Sequence, residues 1–397
     1  MFNVRPAAPD EPARDAARPD RMHAAGAQKV ALVIAGTRPE CIKLAPVVRE
    51  LAHRSALAGV VVNSGQHVDA VRRTFAEFDI EADIELPALP PQPNLRAASR
   101  HLAERLATVI RQVRPSLVIV QGDTLTAYAG ARAGAGTGYP VVHVEAGLRS
   151  PSVADPFPEE WFRRRIARHA DHHFAPCASA HRNLLAEGVP AARVHDVGNT
   201  GIDSLRRLLT EGDPAPPGAR AARNRVLVTL HRRENWDGKA DIICDALIAL
   251  GAARPNLRML MPVHPNPRIA PRIRQRLGGQ PQFTLVPPMN YRDFIAAAAG
   301  AALIVSDSGG IQEEVPHLGV PLLVPRSCTE RPEGVERGFV RLVAVDRDVI
   351  VAEALALLAA PPSPPLPFDD DAPFGDGAAA ARIIDVLEAA LVEAVAA

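Results

Sequence analysis

The densest chemistry in this chain lies in Ser306-Asp307-Ser308-Gly309-Gly310-Ile311-Gln312-Glu313-Glu314, which directly follows the apolar run 301–305. The run reads as a buried strand, the glycines as a turn, and the remainder as the start of a helix. Adjacent glycines let backbone N–H groups come close to an anion, and a helix start adds unpaired donors and the positive end of its dipole. Ser308 is placed to cap that helix and to donate its hydroxyl to a phosphate oxygen. Glu314 falls within the first turns, where a carboxylate can accept the adjacent hydroxyls of a ribose. A phosphate binder and a diol binder so close together suggest a nucleoside diphosphate. The simpler reading, glycines that serve only the turn, stays open.

Such a turn works only where a sheet holds it. Short β-branched runs alternate with longer helical patterns along the chain, the signature of parallel sheets with crossover helices. Strands are expected at Val30–Ala35, Val60–Asn63, Leu117–Val120, Val141–Val144 and His172–Ala175. After Val197-Gly198-Asn199-Thr200 the series begins again, with Val226–Thr229, Arg258–Val263, Thr284–Val286, Leu303–Val305 and Pro321–Val324. The fold class is therefore α/β, with two Rossmann-like domains facing a central cleft, at 29–196 and 197–377. Residues 1–28, aperiodic and rich in Ala, Pro, Arg and Asp, read as a disordered extension, and 378–397 as a terminal helix after a proline-rich linker.

Ligands of open parallel sheets sit outside the carboxyl ends of the strands. The polar clusters follow that rule. Gly36-Thr37-Arg38-Pro39-Glu40, Gly65-Gln66-His67, Gln121-Gly122-Asp123-Thr124 and His143-Val144-Glu145 end first-domain strands. His231-Arg232-Arg233-Glu234, Pro262-Val263-His264 and the glycine turn occupy the equivalent places in the second. Three acids stand out on first-domain loops. Asp123 is either a functional carboxylate or a helix cap, and Glu145 either functional or an ion-pair partner of Arg149. Glu159, after Pro158, is either functional or a helix-start residue answering the dipole.

Composition narrows the class. Lysine plus arginine equals aspartate plus glutamate at 45 each, so no net field favours nucleic acid or an anionic membrane. No apolar stretch approaches the roughly 18–20 residues that span a bilayer, and the first ten residues lack the apolar core of a signal peptide. The four cysteines (Cys41, Cys177, Cys244, Cys328) form no CxxC pair, which fits a reducing cytoplasm and no structural zinc. His172 and His173, adjacent on a strand, point to opposite faces and make a poor metal site.

Taken in order, Gly36-Thr-Arg-Pro-Glu40, Gln66-His67, Gly122-Asp-Thr124, His143-Val-Glu-Ala-Gly-Leu-Arg149, Pro158-Glu-Glu160, Gly198-Asn-Thr200, His231-Arg-Arg-Glu234, Asp307-Ser-Gly-Gly-Ile-Gln-Glu-Glu314 and Thr329-Glu-Arg-Pro-Glu333 resemble the bacterial non-hydrolysing UDP-N-acetylglucosamine 2-epimerases. The resemblance runs from about residue 29 to about residue 385. It implies the two-domain glycosyltransferase-B-like architecture and interconversion of UDP-N-acetylglucosamine with UDP-N-acetylmannosamine, with no redox cofactor and no metal. The implied route eliminates UDP to a 2-acetamidoglucal and adds it back with protonation on the other face. Two faces require two acid/base groups, and the departing diphosphate requires cations.

By the same resemblance Asp123, Glu145 and Glu159 are the acids, and His231 supports the leaving diphosphate. Arg38 and Lys43 match anion-binding positions, Arg331 an anchor for UDP or its sugar, and Phe294 the aromatic that stacks on uracil. His67, Arg232 and His264 line the cleft near a second UDP-sugar position, where substrate also acts as an activator. A homodimer is implied as well. Two positions depart from the family pattern: Phe162 stands where an asparagine is usual, and Asp69 where glutamine or methionine is expected. A hydrolysing epimerase and a glycosyltransferase of the same fold are the alternatives; a transferase cleft should carry fewer clustered acids than this one.

Overall fold

The computed structural model describes residues 29–153, 156–211, 224–230, 232, 238–361 and 363–396. The expected extension 1–28 and His231 lie outside the described residues. Two parallel sheets organise the chain. The first comprises β1 (Lys29–Ala35), β2 (Leu57–Asn63), β3 (Ile84–Glu85), β4 (Leu117–Gln121), β5 (Val141–Val144), β6 (His172–Ala175) and β7 (Val194–Asp196). The second comprises β8 (Arg225–Thr229), β9 (Arg258–Pro262), β10 (Phe283–Val286), β11 (Leu303–Ser306), β12 (Leu322–Pro325) and β13 (Val340–Val343). Their strand orders are β3-β2-β1-β4-β5-β6-β7 and β10-β9-β8-β11-β12-β13. Both place the change of winding direction beside the first strand of each unit, between β1 and β4 and between β8 and β11.

The central strands are largely apolar because helices cover both faces of the sheet. Residues 31–35 of β1 are wholly buried, and Leu32 pairs with Val60 on one side and Val118 on the other. The strands absent from the sequence reading, β3, β7 and β13, are short and lie at sheet edges. In β13 exposed Arg341 alternates with buried Val340, so no continuous apolar run marks it.

One apolar cluster joins the two units, running from Leu44 and Phe75 to Tyr291, Ile311 and Leu318. The helix Thr200–Glu211 lies on the helix Arg38–His53, where Ser204 Oγ donates to Ile42 O at 2.6 Å. The last helix, Ala379–Ala396, also returns to the first unit. Asp203 accepts from the backbone of Ala379 and Ala380 at its start, and Arg54 pairs with Asp385 at 2.8 Å. Among the described residues no helix is long and apolar enough to cross a membrane.

Candidate active site

The two winding changes carry the site. At the first, the turn after β1 opens the helix Arg38–His53, and the turn after β4 carries Gly122 and Asp123 into the helix Leu125–Thr137. The turns touch closely: a Cβ on Gly36 would lie 2.0 Å from Thr126 Oγ1 and 2.3 Å from Ser64 Oγ, so only glycine fits. His143, buried and driven to about 3 by loss of hydration, is neutral, so its Nε2–H donates to Gly122 O at 2.8 Å and fixes that turn.

Glu145, just past β5, has φ +64, a left-handed conformation uncommon for a side-chain-bearing residue. Strain of this kind, about 1–3 kcal/mol, persists where surrounding contacts over-determine it. Here they do. Lys43 Nζ lies 2.7 Å from Glu145 Oε1, and the Gln121 amide donates to Oε2. Lys43 also meets Glu313 at 2.9 Å, Arg331 meets Glu313 at 2.5 Å, and Arg331 meets Glu145 at 3.3 Å. Two cations and two carboxylates thus alternate in a ring, with Lys43 and Glu145 from the first unit and Glu313 and Arg331 from the second. Every side chain in the ring is at most 10% exposed.

A second network adjoins it. Arg163 meets Asp123 at 2.5 Å and Glu160 at 3.3 Å, while Glu330 takes Arg326 at 3.2 Å, Arg232 at 3.3 Å and Arg331 at 3.4 Å. These surroundings push the two candidate acids apart. Burial would raise the Asp123 carboxyl, but Arg163, Arg331 and Arg232 outweigh it and hold Asp123 below its ordinary value. Burial also raises Glu145, and there Lys43 does not fully oppose it, because Glu313 pushes the same way. Neighbouring carboxyls displaced in opposite directions can serve as base and acid.

On the simpler structural alternatives for the three acids, the fold shows two absent and that of Glu159 present. Thr124, not Asp123, caps the helix Leu125–Thr137, accepting from Ala127 N at 3.0 Å. Arg149 spends its guanidinium on Glu187, with both bonds at 2.7 Å, and is not the partner of Glu145. Glu159 is half-buried and is the first residue of the helix Glu159–Ile166. Phe162, in place of the usual asparagine, is buried and stacks on Tyr128 at 5.3 Å between centroids.

At the second winding change the glycine turn is as expected, strand then helix Gly309–Leu318, with one correction. The Ser308 hydroxyl makes no cap hydrogen bond; its backbone N–H instead donates to Ser306 Oγ at 3.0 Å. A Cβ on Gly309 would lie 2.7 Å from the Arg331 guanidinium, whereas one on Gly310 would enter open space. Gly309 therefore lets Arg331 lie across the turn, and Gly310 leaves the helix end clear. Glu314 is buried, accepts from Tyr291 Oη at 2.7 Å, and is raised to about 7 by burial. Phe294, on the same helix as Tyr291, is half-buried against the shared apolar cluster. Arg38 is half-buried at its helix start. Arg232 donates from Nε to Asp307 O at 3.2 Å. His67 is exposed, and His264 accepts from Asn266 N at 3.2 Å.

Glu40, Gln121, Arg163, Tyr291, Glu313, Arg326 and Glu330 join the site without having been singled out as site residues in the sequence. Two of them directly adjoin residues that were, Glu313 beside Glu314 and Glu330 beside Arg331, and Gln121 stands two residues before Asp123. Adjacency to a motif was the available signal. Among the described residues no cluster of His, Cys, Asp and Glu has metal-binding geometry.

Residues 49–388 match the family described as UDP-N-acetylglucosamine 2-epimerase. The chain is 37% identical over 367 residues to the UDP-N-acetylglucosamine 2-epimerase of Salmonella typhimurium, covering 90% of this chain and 98% of that one. It is 35% identical over 357 residues to that of Bacillus subtilis, covering 90% and 94%. Among solved structures, the Neisseria meningitidis UDP-GlcNAc 2-epimerase bound to UDP-GlcNAc is similar at a TM-score of 0.82 and 32% identity, covering 90% of this chain and 99% of that chain. The S. aureus MnaA–UDP co-structure is similar at 0.84 and 33%, covering 92% and 97%.

Proposed function

This chain belongs to the UDP-N-acetylglucosamine 2-epimerase family, and from that premise we propose that it interconverts UDP-N-acetylglucosamine and UDP-N-acetylmannosamine without net hydrolysis. The observation that carries the reading is the pair Asp123 and Glu145 on neighbouring strand ends, one carboxyl held low and the other raised. Asp123, ionised, takes the C2 proton as the C2–H electron pair forms the C1=C2 double bond and the C1–O bond to UDP breaks. UDP leaves with that bonding pair. Return of UDP to C1 with protonation of C2 from the opposite face, by Glu145, completes the inversion. Asp123 then returns its proton to solvent and Glu145 takes one up, which resets both carboxyls, and no oxidation state changes over the cycle.

The diphosphate is placed at the open end of the helix Gly309–Leu318, within reach of Lys43, Arg38 and Arg331. Relatives of this chain are described as bound to UDP-GlcNAc and to UDP, and the same ligand class is assigned here. Glu314 receives the ribose diol, Phe294 the uracil, and Glu159 serves as a third acid. His231 assists the leaving diphosphate. His67, Arg232 and His264 border a second UDP-sugar position. The protein is read as a cytoplasmic homodimer whose product supplies surface or exopolysaccharide synthesis.

Proton NMR of UDP-N-acetylglucosamine incubated with the protein in D₂O tests this. The expected result is both UDP-sugars carrying deuterium at C2. Free N-acetylmannosamine accumulating with UDP identifies a hydrolase instead. An unchanged spectrum without an acceptor sugar points to a transferase.

A further inference from the structure

We propose that Glu40 is a positioning residue for Asp123, clamping the turn after β1 to the turn after β4. Glu40 is the third residue of the helix Arg38–His53 and is wholly buried. One oxygen serves locally: Oε2 accepts from Gly36 N at 3.0 Å. A glutamate at this position commonly reaches back to satisfy the donors of its own helix start. The other oxygen does something that local capping does not require. Oε1 accepts from Thr124 Oγ1 at 2.6 Å, a residue 84 positions away in sequence.

The Thr124 hydroxyl is committed in both directions. It accepts from Ala127 N as the cap of the next helix and donates to Glu40. Thr124 directly follows Asp123, so the backbone leaving the candidate acid is anchored by Glu40. The backbone entering it is fixed by Gly122, whose N–H donates to Val144 O at 3.0 Å and whose carbonyl meets His143. Arg163 holds the carboxylate itself. Asp123 is thus constrained on both sides along the chain and at its side chain. Burying a carboxyl group is costly: Glu40 is raised to about 7 by loss of hydration, against the hydrogen bonds that favour its charged form. A hydroxyl or amide cap satisfies a helix start at less cost. The junction of two loops that no single element spans is what the carboxylate adds.

The proposal rests on the reading of Asp123 as the base, and the test separates the two. Steady-state kcat and KM for UDP-N-acetylglucosamine are measured for Glu40→Ala, Thr124→Val and Thr124→Ser, each alone and with Asp123→Asn. Displacement of a reacting group by an ångström can cost about 10²-fold in rate. Glu40→Ala and Thr124→Val should each lower kcat about 10- to 100-fold with KM within about threefold, while Thr124→Ser restores most of kcat. In the Asp123→Asn background neither Glu40→Ala nor Thr124→Val should lower the residual kcat further, because the group they position is already gone. A full additional loss in that background overturns the proposal, since Glu40 would then act on something other than Asp123. Harmless Glu40→Ala and Thr124→Val beside a crippled Asp123→Asn overturn it alone. A near wild-type Asp123→Asn overturns the reading of Asp123 and this proposal with it. If Glu40→Ala does not fold, the Thr124→Val and Thr124→Ser pair in both backgrounds gives the same decision.

Discussion

Lys43 Nζ and the Glu313 carboxylate lie 2.9 Å apart in a buried ion pair that joins the seven-stranded unit to the six-stranded one. Lys43 also lies 2.7 Å from Glu145. Removing it would leave two carboxylates buried with only Arg331 between them. Breaking a buried pair from one side costs about 3–5 kcal/mol, because the remaining charge loses both water and partner. Lys43→Met should therefore lower unfolding stability by about that amount in urea titration. A loss below about 1 kcal/mol, the range of exposed pairs, would mean that water screens the ring.

The candidate acids should separate chemistry from binding. Asp123→Asn, Glu145→Gln and Glu159→Gln should each reduce turnover by about 10²-fold or more while UDP affinity changes little, since proton transfer is removed and the nucleotide anchor is not. Near wild-type turnover in any of them removes that residue from the acid/base set.

Glu314 should behave in the opposite way. At pH 8, above its raised value of about 7, Glu314 is ionised, and Glu314→Ala is expected there to weaken UDP binding by about 1–3 kcal/mol, the loss when a charged acceptor for a diol disappears. Calorimetry with UDP measures it, and unchanged affinity places the ribose elsewhere.

The same residue makes stability depend on pH. Glu314 rises from an ordinary 4.5 to about 7 on folding, so the folded protein binds the proton more tightly than the unfolded chain. Its stabilising contribution is full below 4.5 and is lost as pH rises through about 7. Between pH 6 and pH 8 such a group accounts for about 1 kcal/mol of lost stability. Unfolding of Glu314→Gln at both pH values should show a smaller decline than wild type by about that amount. An equal decline would assign the pH dependence to other groups, of which Glu40, also raised to about 7, is the first to examine.

Much of the fold was legible in the chain, for a physical reason. Central parallel strands such as β1 and β11 are buried on both faces and must be written in continuous apolar residues. The polar turns that follow them stand out against that background. Edge strands β3 and β13 escape the same reading because one side meets solvent and the apolar run breaks. The candidate acids were legible too, since Asp123 and Glu145 sit in polar clusters directly after apolar runs.

By itself the sequence determined the α/β class, the strand-end placement of the polar motifs and the glycine turn at the head of Gly309–Leu318. These follow from local pattern: burial period, turn chemistry and helix starts. The tertiary structure decided which charges meet. Lys43 and Glu313 are 270 residues apart, and Glu145 and Arg331 are 186 apart. No periodicity encodes such pairings; they arise when two sheets face each other across their strand ends. The fold likewise decided that Arg149 goes to Glu187, and that Glu40, read as one letter of a turn motif, reaches Thr124. Ionisation followed from those meetings. A carboxyl group takes its pKa from the charges and solvent around it, so Asp123 falls and Glu145 rises only once both units have closed around them.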